Sequence, residues 1–226
     1  MKAHKLKINK PVFLLFPLLL TLSSCFGVNA DITLNQNGSG TVTLVYRISK
    51  SLDSLGKLDG NERWNTIPVG KADFERSLDR LPEIKLLSFS SKEDAKDVII
   101  TAKMEFAAIG SLLAFLDASG RRSTFSGDAG SGRLALTLNE GTKNEGVKNE
   151  NAGLTKLIAD ISDGYSVRVS VTFPGTGSLA LTDSQGKAIT TLPGAEFIQG
   201  GKTASFDIPL YQVLSSTDGI NAVFSW

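Results

Sequence analysis

Cysteine and histidine are nearly missing from this chain, with one of each. Both, His4 and Cys25, fall at its start. The residues after Cys25 therefore hold no imidazole and no thiol. That excludes Ser–His–Asp and Cys–His nucleophilic catalysis in their usual forms, and zinc sites built on histidine or cysteine. Any chemistry would fall to carboxylates, Lys, Tyr or Ser, and no cofactor or metal is expected. A basic surplus is missing too. Lys+Arg number 24 against 23 Asp+Glu, and four of the lysines (Lys2, Lys5, Lys7, Lys10) sit in the first ten residues. Without those four the balance turns slightly acidic. Nothing is left to neutralise a phosphate backbone, so nucleic-acid binding is set aside. Long apolar runs are also absent, with one short exception at Val12–Leu22.

That exception organises the rest. Val12–Leu22 is about half the ~20 apolar residues that span a bilayer, and Pro17 would weaken a permanent helix there. The lysines precede it, and Leu22-Ser23-Ser24-Cys25 closes it. A basic start, a short apolar run and small residues before a cysteine resemble the lipobox signal of bacterial lipoproteins. The resemblance implies that residues 1–24 are removed by cleavage between Ser24 and Cys25. Cys25 would then carry a diacylglyceryl group on sulfur and usually an acyl chain on its new amino group. Two or three chains at about 0.8 kcal/mol per buried methylene make a lasting anchor. The expected partner is thus a membrane, reached through acyl chains on Cys25. The expected location is the cell envelope, on the outer face of the cytoplasmic membrane or on the outer membrane. Residues 25–31 read as the lipidated cysteine and a short tether of about 20 Å, at ~3.3 Å per extended residue. Residues 32–226 read as one extracytoplasmic domain.

Hydrophobic residues make up 41% of the chain and charged ones 21%, enough for a packed core of ordinary composition. Ile32 and Leu34, then Val42, Leu44, Tyr46 and Ile48, alternate around Gln36–Gly40 as a hairpin. Phe74, Leu78 and Leu81 take helical spacing before Pro82. Ile84–Ser90 and Val98–Phe106 form a second hairpin. Ile109, Leu112, Leu113 and Leu116 form a second helix, with Gly120 as its stop. Arg122–Ser126 and Arg133–Leu138 form a third strand pair. Leu154, Leu157, Ile158 and Ile161 predict a third helix. Tyr165–Phe173 alternates as a strand that Pro174-Gly175 should end. Short strands follow at Leu179–Thr182, Ala188–Leu192, Glu196–Gln199 and Thr203–Ile208. Pro209–Leu214 suits one helical turn, and Asn221–Trp226 a closing strand.

Several motifs invite a sharper reading. Residues 139–153 repeat Asn-Glu at Asn139, Asn144 and Asn149, and Glu140, Glu145 and Glu150 could gather a cation or a partner. Such a polar stretch has no apolar face to hold ligands rigidly and reads more simply as a solvated loop. Gly200-Gly201-Lys202-Thr203 resembles the tail of a P-loop, but Glu196 stands where its first glycine should be and a strand pattern follows. Residues 127–132, rich in glycine, also lack a following helix and read as a hairpin loop. Glu105, Glu196 and Asp207 could serve a carboxylate-dependent hydrolase of envelope glycan, which needs two acids facing across a cleft. Tyr46 and Trp64 could stack on sugar or lipid, although such rings more often fill a core or its rim.

A valine-rich strand ending in Phe173-Pro174-Gly175, then Phe206-Asp207-Ile208-Pro209-Leu210, a final strand to Trp226 and the early Asn37–Val42 together resemble the extracytoplasmic domain of LppM-like bacterial lipoproteins. That resemblance implies an α+β domain associated with lipids or envelope polymers, and it carries over no catalytic residues. The expected fold is α+β, with antiparallel sheets built from hairpins and about three short helices packed on one face. The expected function is non-catalytic: binding of a lipid, a glycan or an envelope protein, or a structural role at the membrane.

Overall fold

The computed structural model describes residues 26–50, 68, 70–117, 119–128, 130–141, 159–160 and 162–226. Cys25 and Ser24, Trp64, residues 142–153 of the polar repeat, and the helix predicted from Leu154, Leu157, Ile158 and Ile161 lie outside these residues. Strand β1 spans Phe26–Leu34 and runs antiparallel to β2, Gly40–Ser49, from Phe26 opposite Ile48 to Leu34 opposite Gly40. This corrects the tether expected over residues 25–31. The chain is already in the sheet at Phe26, because Phe26, Val28 and Ala30 continue the inward alternation of Ile32 and Leu34. Between the strands Asn37 Oδ1 accepts the Ser39 N–H at 3.1 Å, and Gly38 takes φ 81°, a conformation disfavoured for residues with a side chain.

Helix α1, Lys71–Leu78, begins where the Gly70 N–H donates to Asp73 Oδ2 at 3.0 Å, placing a carboxylate in the first turn. Its buried residues are Phe74 and Leu78. The Phe74 ring lies 6.3 Å from Tyr46, 5.6 Å from Phe89 and 6.2 Å from Phe115, measured between centroids. Tyr46 is therefore a core residue, and burial raises its pKa well above the ordinary phenol value. Strands β3, Ile84–Glu93, and β4, Asp97–Phe106, form the second hairpin, with a bulge between Leu86 and Ser88 that leaves Leu87 exposed. Helix α2, Ile109–Leu116, buries Ile109 and Leu112. Leu116, one of the four apolar residues at helical spacing, is exposed; Phe115 makes the contact with Phe74.

Strands β5, Ser123–Gly127, and β6, Gly132–Asn139, form the third pair. Asn139, expected to open the polar loop, is the last residue of β6. Strand β7 runs from Ser166 to Thr182 without ending at Pro174-Gly175 as the sequence pattern suggests. The proline is tolerated because the register with β9, Gly200–Pro209, breaks between Thr172 and Gly177, so no ladder donor is needed there. β8, Glu196–Ile198, pairs with β9, and the strand expected at Ala188–Leu192 is reduced to a bridge from Ala188 to Thr182. Helix α3, Leu210–Ser215, buries Leu210 and Val213, and β10, Ile220–Ser225, ends the fold.

The strand order is β3-β4-β2-β1-β7-β10-β6-β5, with β9 and then β8 joined through β7. All pairs are antiparallel except β1 with β7, which is parallel from Val28 opposite Val167 to Thr33 opposite Thr172. The fold is thus a mixed α+β fold in which, among the described residues, three short helices contact a sheet built largely of hairpins. β7 is its long axis: β1 and β9 flank its first half, and β10 flanks its second. Phe206 of β9 and Phe224 of β10 meet at 6.1 Å, and Trp226 stacks on both Phe125 and Phe173. One continuous core joins the inward faces of both halves, and Phe74, Leu112 and Val213 bring the three helices into it. Each such buried aromatic or aliphatic side chain contributes about 1.5–3 kcal/mol.

Candidate functional site

Among the described residues one charged group is buried. Asp97, the first residue of β4, is 0% exposed. The turn before it fixes its backbone: Asp94 Oδ1 accepts the N–H groups of Lys96 and Asp97, both at 2.7 Å, and the Asp94 N–H donates to the Asp97 carbonyl at 3.0 Å. Those backbone donors, Asp97 first and then Lys96, hold the Asp94 carboxyl below the usual carboxylate range.

The Asp97 carboxylate is satisfied by two side chains distant in sequence. Arg47 of β2 donates Nη2 to Oδ2 at 2.6 Å, and the Tyr165 hydroxyl, just before β7, donates to Oδ1 at 2.6 Å. Arg47 also donates Nη1 to the Gly164 carbonyl at 3.3 Å, and its guanidinium lies 5.6 Å from the centre of the Tyr165 ring. The pair is lopsided: the Arg47 side chain is 42% exposed and that of Asp97 1%. The carboxylate sits behind the cation.

In front of the cation is a small, shallow cleft of about 50 Å³, open to solvent and lined by Gly27, Asn29, Val45, Arg47, Gly164, Tyr165 and Ser166. Register explains the grouping. Gly27 is opposite Arg47, and Asn29 opposite Val45, across the β1–β2 pair. β7 then brings Ser166 and Tyr165 alongside β1. Gly27 has no side chain, and this opens a notch between Arg47 and Ser166. The polar side chains that line the cleft are those of Arg47, Asn29, Ser166 and Tyr165, and no carboxylate lines it.

The residues singled out from sequence fall elsewhere. Glu196 and Asp207 are direct partners across β8 and β9, so the sheet does bring two acids together. Neither lines the cleft, although Asp207 is opposite Arg168, itself opposite the cleft residue Asn29, and Glu196 is exposed. Glu105 lies at the other end of the sheet, opposite Thr41 and Lys85. Glu140 follows β6 in an exposed position. Gly200–Thr203 begin β9 opposite residues of β7, a strand and not a phosphate loop. Residues 127–132 close the β5–β6 hairpin, where Asp128 Oδ1 accepts the N–H groups of Gly130 and Ser131. Among the described residues no group of His, Cys, Asp and Glu stands close enough to hold a metal ion, and no helix is long and apolar enough to cross a membrane.

Arg47, Asp97 and Tyr165 were not legible as a group. The only local signal is Arg47, the single charged residue in the strand GTVTLVYRIS.

No protein-family model matches the chain, and no curated protein does. Among solved structures, the folded domain of the Mycobacterium tuberculosis LppM protein, determined by NMR, is similar at a TM-score of 0.38 and 13% identity, over 88% of each chain. This is a weak, partial resemblance to the LppM lipoprotein fold.

Proposed function

We propose that the chain is a membrane-anchored bacterial lipoprotein, cut between Ser24 and Cys25 and acylated on Cys25, whose domain is non-catalytic and binds an envelope molecule in the Arg47 cleft. The observation that supports this is the adjacency of anchor and cleft. β1 starts at Phe26, next to the lipobox cysteine, and Gly27 and Asn29 of that strand line the cleft. With no linker between lipid and sheet, the cleft would lie at the lipid–water boundary. The membrane is either the cytoplasmic one, at its outer face, or the outer membrane.

The opposition of Glu196 and Asp207 favours a second reading, a carboxylate-dependent hydrolase of envelope glycan. Glycan turnover that disappears in Glu196→Gln would favour it over the binding reading.

The anchor is tested by Cys25→Ala, which should move the protein out of the membrane fraction; retention of that variant in membranes would sink the claim. Mass spectrometry of the mature protein should find an acylated Cys25 at its amino terminus. Extraction of the purified protein should yield a bound envelope molecule, and an empty cleft would count against the binding role.

A further inference from the structure

We propose that the cleft takes a phosphate-type oxyanion, with the Arg47 guanidinium as its charged contact. This rests on the reading of the cleft as the binding site of the domain. Three observations point to an anion and away from a cation or a neutral ligand. The first is polarity. Asp97 lies behind Arg47 and is absent from the cleft wall, so the Arg47–Asp97 pair turns its positive end outward. The second is spare valence. Both Asp97 oxygens have donors, from Arg47 and Tyr165, while the guanidinium carries five N–H groups and has the Asp97 and Gly164 acceptors among the described residues. Its remaining N–H groups suit the planar, forked recognition of an oxyanion. The third is shape. Gly27 leaves a notch beside the guanidinium, with the Ser166 hydroxyl and the Asn29 amide as neutral donors at its rim. The cleft holds a headgroup-sized anion and not an acyl chain.

The Asp97 carboxylate is then a positioning group. It orients the guanidinium and, being buried, keeps the cation from folding away onto another partner. Two sources could supply the anion, a lipid headgroup at the anchoring membrane or free phosphate.

The test is ¹⁵N–¹H NMR of the full chain carrying Cys25→Ala. It is titrated with inorganic phosphate, with glucose as a neutral polyol, and with vesicles of phosphatidylcholine alone or mixed with phosphatidylglycerol. Phosphate should shift the Gly27 and Ser166 amides and the Arg47 Nε–H saturably, with a dissociation constant on the order of 1 mM. Glucose should not. Gly27→Ala fills the notch without touching the ion pair. Its added methyl would make only ordinary contacts, at 3.4 Å from Tyr165 and 3.5 Å from the Ser166 carbonyl. It should weaken the response about tenfold. Arg47→Gln combined with Asp97→Asn removes the cation without leaving a buried charge, and should abolish the response. Shifts of the same resonances by phosphatidylglycerol vesicles assign the anion to a headgroup; shifts by phosphate alone assign it to the free ion. Either supports the proposal. No shift in the folded protein, an equal shift with glucose, or a shift unchanged in both variants overturns it. Failure of the anchor would be seen separately, as a wild-type protein whose Cys25 carries no acyl group by mass spectrometry.

Discussion

The Tyr165 hydroxyl donates to Asp97 Oδ1 at 2.6 Å, joining residues 68 positions apart and tying the start of β7 to the start of β4. Between them in the sheet lie β1 and β2. Tyr165→Phe keeps the ring under Arg47 and removes one of the two side-chain donors to a buried carboxylate. Hydrogen bonds to charged groups contribute about 1.5–3 kcal/mol, and urea unfolding should show a loss of that order. An unchanged midpoint would mean that the node is not structural.

Phe74 is the contact through which α1 reaches both the sheet, at Tyr46 and Phe89, and α2, at Phe115. It is 0% exposed. Phe74→Ala should cost about 3–5 kcal/mol, the transfer free energy of the ring plus the cavity left among three aromatic neighbours. Equilibrium unfolding measures it, and a loss below about 1 kcal/mol would show that the neighbours collapse into the space.

Gly177 sits where β7 resumes its pairing after the break at Pro174-Gly175. A Cβ there would run into the ring of Phe173, a fully buried core residue. Gly177→Ala should therefore destabilise by about 1–3 kcal/mol through forced movement of that ring. Gly175→Ala, with nothing within 4 Å of the added carbon, is the matched control and should be near neutral. Equal losses in the two variants, read by thermal unfolding, would refute the steric account.

Asp117 gathers the loop after α2: it accepts from the Ser119 hydroxyl and from the N–H groups of Arg122 and Ser123. These donors, the Ser119 hydroxyl foremost, pull its pKa from 3.8 to about 2. A lowered folded-state pKa means that the unfolded chain binds the proton more readily. The contribution is in place above about pH 4 and is lost as pH falls through about 2. Asp117→Asn should flatten the stability profile in that window. Urea midpoints measured from neutral pH to pH 2 test this; parallel wild-type and variant profiles would contradict it.

Most strands were legible because alternation is a local property. Val42, Leu44, Tyr46 and Ile48 share a face whichever strand they meet. The sequence pattern ends β7 too early because Pro174-Gly175 is a strong breaker taken alone. Its cost vanishes once the neighbouring strand stops offering an acceptor there. The tether was misread for the converse reason. Phe26 and Val28 look like part of a linker until β2 gives them partners, Ile48 and Tyr46.

The amino-acid sequence by itself determined the absence of histidine and cysteine side chains after Cys25, the short apolar run that resembles a lipobox signal and the periodicity of nearly every strand, all of which are set by residue identity and near-neighbour spacing. Only the tertiary structure decided that Arg47, Asp97 and Tyr165 form one node and that Gly27 opens a notch beside it. It also decided that Glu196 faces Asp207 while standing outside the cleft. Those relations depend on which strand lies beside which and in what register. Strand order is chosen by the packing of the whole core, so no window of sequence around Arg47 or Asp97 contains it.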